Sequence, residues 1–272
     1  MKTKVKILFP FSLLIALVLV FPVLIMFFSS FQGTDGGIGI SNYTEIFKNN
    51  YYRKAIMNSL YISLIAAVIG EILSILGAWA ISRLSEKTQN TFLTLFNMAA
   101  SFAGIPLAFS LIILFGNSGI LKAIATASHL SFLGAFNVYS LPGLILAYTF
   151  FEVPLGIMFL FPPIKEINSD WKEASQVLGA NNWFFLKKII VPLILPNIIE
   201  TFIILFANAM GTYETMYALT GNNVVSIPIV IGALTNGSLD ANIPLACALS
   251  TIFAAIMMLL VALGNRLTRR SR

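Results

Sequence analysis

One cysteine, one histidine and few charges close off most soluble chemistries for this 272-residue chain. Cys247 alone cannot build a disulfide framework or a cysteine-based metal site. His129 alone leaves little for metal ligation or acid–base work, so no metal and no catalytic residue are expected. The chain also lacks Gly-x4-Gly-Lys-Ser/Thr, the loop whose backbone N–H groups cradle phosphates, so it is not expected to bind ATP itself. Charged residues make up only 10% of the chain against 58% hydrophobic, which takes it out of the soluble globular range. The net charge of +6 falls on no aromatic–basic patch, and nucleic acid is not an expected partner.

What the chain does have is a mean hydropathy of +0.88 and six apolar runs, at about 7–28, 55–81, 92–115, 141–161, 189–209 and 243–264. Each is long enough to cross a bilayer. They predict an all-α polytopic membrane protein, one transmembrane domain over residues 1–272, set in lipid. The first run follows Lys2, Lys4 and Lys6 but exceeds the roughly 7–15-residue core of a signal peptide, so it reads as a retained span. Gly104 and Pro106 interrupt the third run, Pro154 lies in the fourth, and Pro192 and Pro196 open the fifth. Backbone groups freed at such breaks must be satisfied by neighbouring protein or water. With the N-terminus placed in the cytoplasm, 13 of the 17 Lys and Arg residues fall on that side. That bias puts both termini and the 162–188 segment in the cytoplasm.

Residues 162–188, with the start of the fifth run, gather seven charges between two apolar runs. Asp170 is placed to cap a helix, with Glu173 completing a capping box. Gly179 suits the left-handed residue that ends it, and Asn181 or Asn182 can cap a second helix. Ile164, Ile167, Trp171, Ala174 and Leu178 follow helical spacing, leaving Lys165, Glu166, Lys172 and Glu173 largely on the other side. The pattern predicts helix, tight turn, helix on a membrane face.

This stretch resembles a known motif. Glu173-Ala174-Ser175, Gly179 three residues beyond, and Ile189-Ile190-Val191-Pro192 after a nine-residue gap are similar to the EAA motif of binding-protein-dependent ABC importer permeases. Ser175 replaces the second Ala of that pattern and Val191 its Leu; both replacements keep a small or apolar surface. Asn58-Ser59-Leu60 also resembles the start of that superfamily's core. The resemblance implies the type I importer permease fold and a bacterial inner-membrane location. It makes 162–188 a cytoplasmic coupling helix segment that docks on an ATPase through Glu173, Ala174, Ser175, Gly179, Ile189 and Pro192. It further implies a second permease, identical or homologous, two ATPase subunits that hold ATP and Mg, and an extracytoplasmic solute-binding protein. The chain itself would bind no cofactor.

Four carboxylates lie within or at the ends of the apolar runs: Glu71, Glu152, Glu200 and Glu214. Acids at membrane depth are costly and usually face a cavity or a partner. No intramembrane Lys or Arg stands by to neutralise them. Together with Tyr213 and Tyr217, and with Phe150 and Phe151 nearby, they point to a path for a cation such as spermidine or putrescine. Other small solutes (iron, thiamine, phosphonate or sulfate) and an ion-coupled secondary transporter are the alternatives. Gly116-Asn117-Ser118-Gly119 contains the Gly-x-Ser-Gly of intramembrane serine proteases. Ser118 nevertheless lies at a span end, with His129 in the same link, so a small-residue turn is the expected reading.

Overall fold

The computed structural model describes residues 9–11, 13–33, 37–128, 135–237 and 241–271. They are almost wholly helical, with one isolated antiparallel bridge, Gln32 to Ile38, and no strand among them. The helices are α1 (Phe9–Ser29), α2 (Ser41–Lys48), α3 (Asn50–Ser82), α4 (Glu86–Ser101), α5 (Ile105–Phe115), α6 (Ile120–Ser128), α7 (Leu141–Lys165), α8 (Ser169–Val177), α9 (Asn182–Gly211), α10 (Glu214–Thr220), α11 (Ile227–Asn236) and α12 (Ile243–Ser271). Among the described residues six segments are long and apolar enough to cross a membrane. The chain divides into two compact units, Met1–Met57 with Val225–Met258, and Asn58–Val224 with Leu259–Arg272.

The first unit is built on the starts of α3 and α12. Ile46, Tyr52, Ala55, Val230, Leu234, Leu245 and Leu249 form its buried core. Asn42 fastens the loop behind α1, its amide donating to the carbonyls of Ser30 at 3.0 Å and Gln32 at 2.8 Å. Asn242 caps α12 by accepting from the Leu245 N–H at 3.0 Å, and Gly237 ends α11 in the left-handed region with φ 74°. Among the described residues of α1 none is buried, as expected of a helix whose solvent is lipid.

The second unit is held by a seam of small residues. Gly70, Ser74, Gly77 and Ala78 of α3 meet Glu152, Val153, Gly156 and Ile157 of α7. The Ser74 hydroxyl donates to the Val153 carbonyl at 2.9 Å, and a Cβ on Gly156 would strike that same hydroxyl. Without a hydrophobic drive in lipid, helices associate through such close approach. Gly70 and Gly77 are spaced as such a seam requires; a Cβ on either would press on Glu152 or Ile157.

Two expectations change here. The interruption expected at Gly104 and Pro106 is present, but the third span is not 92–115: α4 ends at Ser101, the chain breaks through Gly104, and the long apolar stretch is Ile105–Ser128, itself bent at 116–119. Gly104, with φ 83° and ψ −148°, and Pro106 in the first turn of α5 impose the break. Nor does the apolar stripe from Ile164 to Leu178 lie on one helix. Helix α7 runs on through Pro162 and Pro163 to Lys165 and buries Ile164 in its own interface. Trp171 is half exposed, and Leu178 is 87% exposed.

Candidate functional site

The helix-turn-helix at 169–190 is closed at both ends. Asn168, in extended conformation, caps α8 by accepting from the Asp170 N–H at 2.9 Å, and its amide donates to the Asp170 carboxylate at 3.0 Å. Asp170 is thus a first-turn residue, not the cap. Glu173 is exposed and makes no reciprocal capping bond among the described residues. At the other end Gly179 takes φ 84°; the Ala180 N–H reaches the Ser175 carbonyl and the Gly179 N–H the Gln176 carbonyl, each at 2.9 Å. That pair of bonds is the Schellman closure. Asn181 caps α9 through the Phe184 N–H at 2.7 Å, and the Gln176 amide ties the two helices by donating to Asn182 at 3.2 Å.

Ser175 is buried, its hydroxyl donating to the Lys172 carbonyl at 2.7 Å, while Ala174 and Pro192 are exposed. Ser175, Gly179 and Ile189 line a cleft of about 500 Å³ with Leu178, Asn181 and Phe184. Val177 and Leu178 are each 87% exposed and Trp183 is 69% exposed, an apolar surface beside the charges of Lys172 and Glu173. Below the cleft, Phe185, Ile190 and Ile194 are packed with Ile167 and Ile198. A π-helical turn, Leu186–Ile190, carries the chain into the span at Pro192. Leu178 and Asn181 were read in the sequence as a stripe position and a cap, not as cleft lining, and Phe184 was not singled out; its signal was its place in the first turn after Asn181.

The four acids separate. Glu152 is fully buried and accepts from the Asn208 amide at 3.1 Å, leaving its other oxygen without a partner. One turn along, the Tyr148 hydroxyl donates to the Thr212 carbonyl at 3.1 Å. One rung therefore joins α7 to α9, and a second joins α7 to the residue just after α9. Glu71 is buried with neither oxygen bonded, while Glu200 and Glu214 are exposed. No hydrogen bond or ion pair joins any two of the four among the described residues. Glu214 opens α10 beside Tyr213, which stacks on Tyr217 with ring centres 5.4 Å apart and planes at 15°. Phe151 is buried and Phe150 half exposed. Asn208 and Thr215 escaped the sequence reading, although an amide inside an apolar span was a visible signal. Ser118 lies in a tight turn between α5 and α6, closed by the Gly119 N–H on the Gly116 carbonyl at 2.9 Å; His129 lies outside the described residues.

Residues 70–272 match the family of binding-protein-dependent transport system inner membrane components. The chain belongs to that family. Among relatives of this permease is the trehalose transport system permease protein SugB of Mycobacterium tuberculosis, 29% identical over 74% of this chain and 68% of SugB. The spermidine/putrescine transport system permease protein PotB of Haemophilus influenzae is 26% identical over 98% of this chain and 95% of PotB. In fold, the permease is similar to a chain of a bacterial ABC transporter that imports the acidic polysaccharide alginate. The TM-score is 0.77 at 19% identity, covering 97% of this chain and 94% of that one.

Proposed function

We propose that this permease is the membrane subunit of an ATP-driven importer and passes a polyamine such as spermidine or putrescine. A second permease, two cytoplasmic ATPases and an extracytoplasmic solute-binding protein would complete the assembly. ATP with Mg would bind and be hydrolysed on the ATPases; this chain turns their closure into alternating access.

The observation that carries the coupling half is the closed helix pair at 169–190. A helix capped by Asn168 and ended by a full Schellman closure transmits a push without fraying. Its exposed surface, Val177, Leu178 and Trp183 around the cleft, is too apolar to stay in water and offers a socket to a partner. Glu173 adds a charge at the rim.

The solute half rests on Glu214. It is an exposed acid beside the stacked Tyr213–Tyr217 pair, a combination that suits an ammonium on an apolar stem. Glu152 belongs between helices, held by Asn208, and Glu71 is buried away from solvent. The names of relatives span a disaccharide, a polyamine and an acidic polysaccharide, so the solute is argued from these residues.

The test is uptake in vesicles holding the permease, its ATPases and its binding protein. Radiolabelled putrescine should accumulate only with ATP inside and be indifferent to protonophores. Accumulation that follows a proton gradient instead would overturn the importer reading. Transport of sulfate or another anion would overturn the polyamine reading alone.

A further inference from the structure

The short non-helical link between α9 and α10 and the first turn of α10 are each fastened to another part of the fold. In the link, the Thr212 carbonyl accepts from Tyr148 of α7 at 3.1 Å. Three residues on, the Thr215 hydroxyl accepts from the Gly104 N–H at 3.0 Å and lies 3.3 Å from the Gly104 carbonyl as donor. One side chain therefore meets both backbone groups of the residue at which the α4–α5 run breaks. Gly104 is buried, and its φ of 83° with ψ −148° is closed to residues with side chains.

Glu214 stands over this junction. Its Oε2 lies 2.6 Å from where a Cβ on Gly104 would be, so the carboxylate rests against the Gly104 backbone at the start of α5. A helix start carries a partial positive charge, about half an elementary charge, that favours an anion beside it.

We propose that Gly104, Thr215 and Glu214 form a solute-released latch on the translocation path. Thr215 pins the broken run to the first turn of α10, and Glu214 covers the pin. An arriving ammonium carries a full charge against the partial charge of the helix start, so it draws the carboxylate away. Water then reaches the two hydrogen bonds, and the break at Gly104 is free to reorient. Once the solute has passed, Glu214 falls back on Gly104 and the latch closes. Gly104 and Thr215 are positioning residues; Glu214 alone meets the solute. The releasing step rests on the polyamine reading, while the pin between Thr215 and Gly104 does not.

Hydrogen exchange at the Gly104 amide, measured by mass spectrometry on the whole complex in lipid nanodiscs, reads the latch directly. Without solute, Thr215→Val should speed exchange about tenfold, the factor expected for one ordinary hydrogen bond, and Thr215→Ser should leave it near the parent value. Equal exchange in parent, Val and Ser forms would overturn the pin. Glu214→Ala removes an exposed side chain and keeps the Thr215 hydroxyl. It should raise exchange several-fold without solute and abolish any further rise on adding putrescine. Should Thr215→Val fail to assemble, Glu214→Ala against the parent decides the matter, an unchanged rate overturning the latch. Putrescine that is taken up by the parent complex yet leaves its Gly104 exchange unaltered would overturn the release step. Absence of putrescine uptake would instead strike the polyamine reading, with the solute-free result on the pin still standing.

Discussion

At Glu152 a single amide decides whether a buried carboxyl is tolerated. Asn208 satisfies one oxygen, and the other stays unbonded between two spans. Replacing Asn208 with Leu leaves the whole group without a partner, a change expected to cost about 1–3 kcal/mol of stability. Glu152→Gln retains an acceptor for the Asn208 amide and should cost less than half as much. Thermal unfolding of the purified permease in detergent compares them, and equal losses would show that the rung is not what holds Glu152. Glycines offer a second contrast. Gly179 has open space where a Cβ would go, so Gly179→Ala pays only for its left-handed backbone, on the order of 1 kcal/mol. Gly156 has no such room, because Ser74 fills it. Gly156→Leu should unseat the α3–α7 seam and lower the melting temperature well beyond the Gly179 change; the reverse order would refute the seam.

Among the helices, α8 is the one whose ends decide its use. Asn168→Ala removes the cap and should cost the helix about 1 kcal/mol, seen as faster amide exchange across 169–177. Asp170→Ala, which takes away only a first-turn charge and a side-chain bond to the cap, should have the smaller effect. If Asp170→Ala proves the more damaging, the cap has been misplaced. The sequence alone could not choose between them, since Asn168, Ser169 and Asp170 are all good capping residues and only the backbone at 168 settles the start. Gly179 and Asn181 were legible, because a lone glycine after a helical stretch and an asparagine before the next have few other uses. Hydropathy located the apolar runs well where they are unbroken helices, as with α7 and α12. It placed the third span at 92–115 rather than Ile105–Ser128 because, although Gly104 and Pro106 marked the interruption, a hydropathy average does not say on which side of it the chain crosses. The Glu152–Asn208 rung joins residues 56 apart, and no local pattern predicts such a pair.

For the molecule as a whole, orientation is the property on which the functional reading depends. In a Cys247→Ser background, cysteines at Asn90 and Gln176 should react with a membrane-impermeant maleimide only after the cells are opened. Cysteines at Ser128 and Asn222 should react in intact cells. Gln176 is the better probe than its neighbour, since Ser175 is only 7% exposed and would label slowly on either side. Labelling of position 176 from outside would invert the topology and remove the proposed docking surface from any cytoplasmic ATPase.

The rung between α7 and α9 also sets a timetable for biosynthesis. Glu152 leaves the ribosome 56 residues ahead of Asn208, an interval of about 3–11 s at roughly 5–20 residues per second. Through that interval its carboxyl has no amide to accept from, and a lone charged residue in the bilayer centre costs about 2.5–3.5 kcal/mol on the translocon scale. Helix α7 therefore gains by lingering at the translocon until α9 arrives and entering lipid as half of a pair. Helix α1, with no buried residue among those described, is free to leave alone.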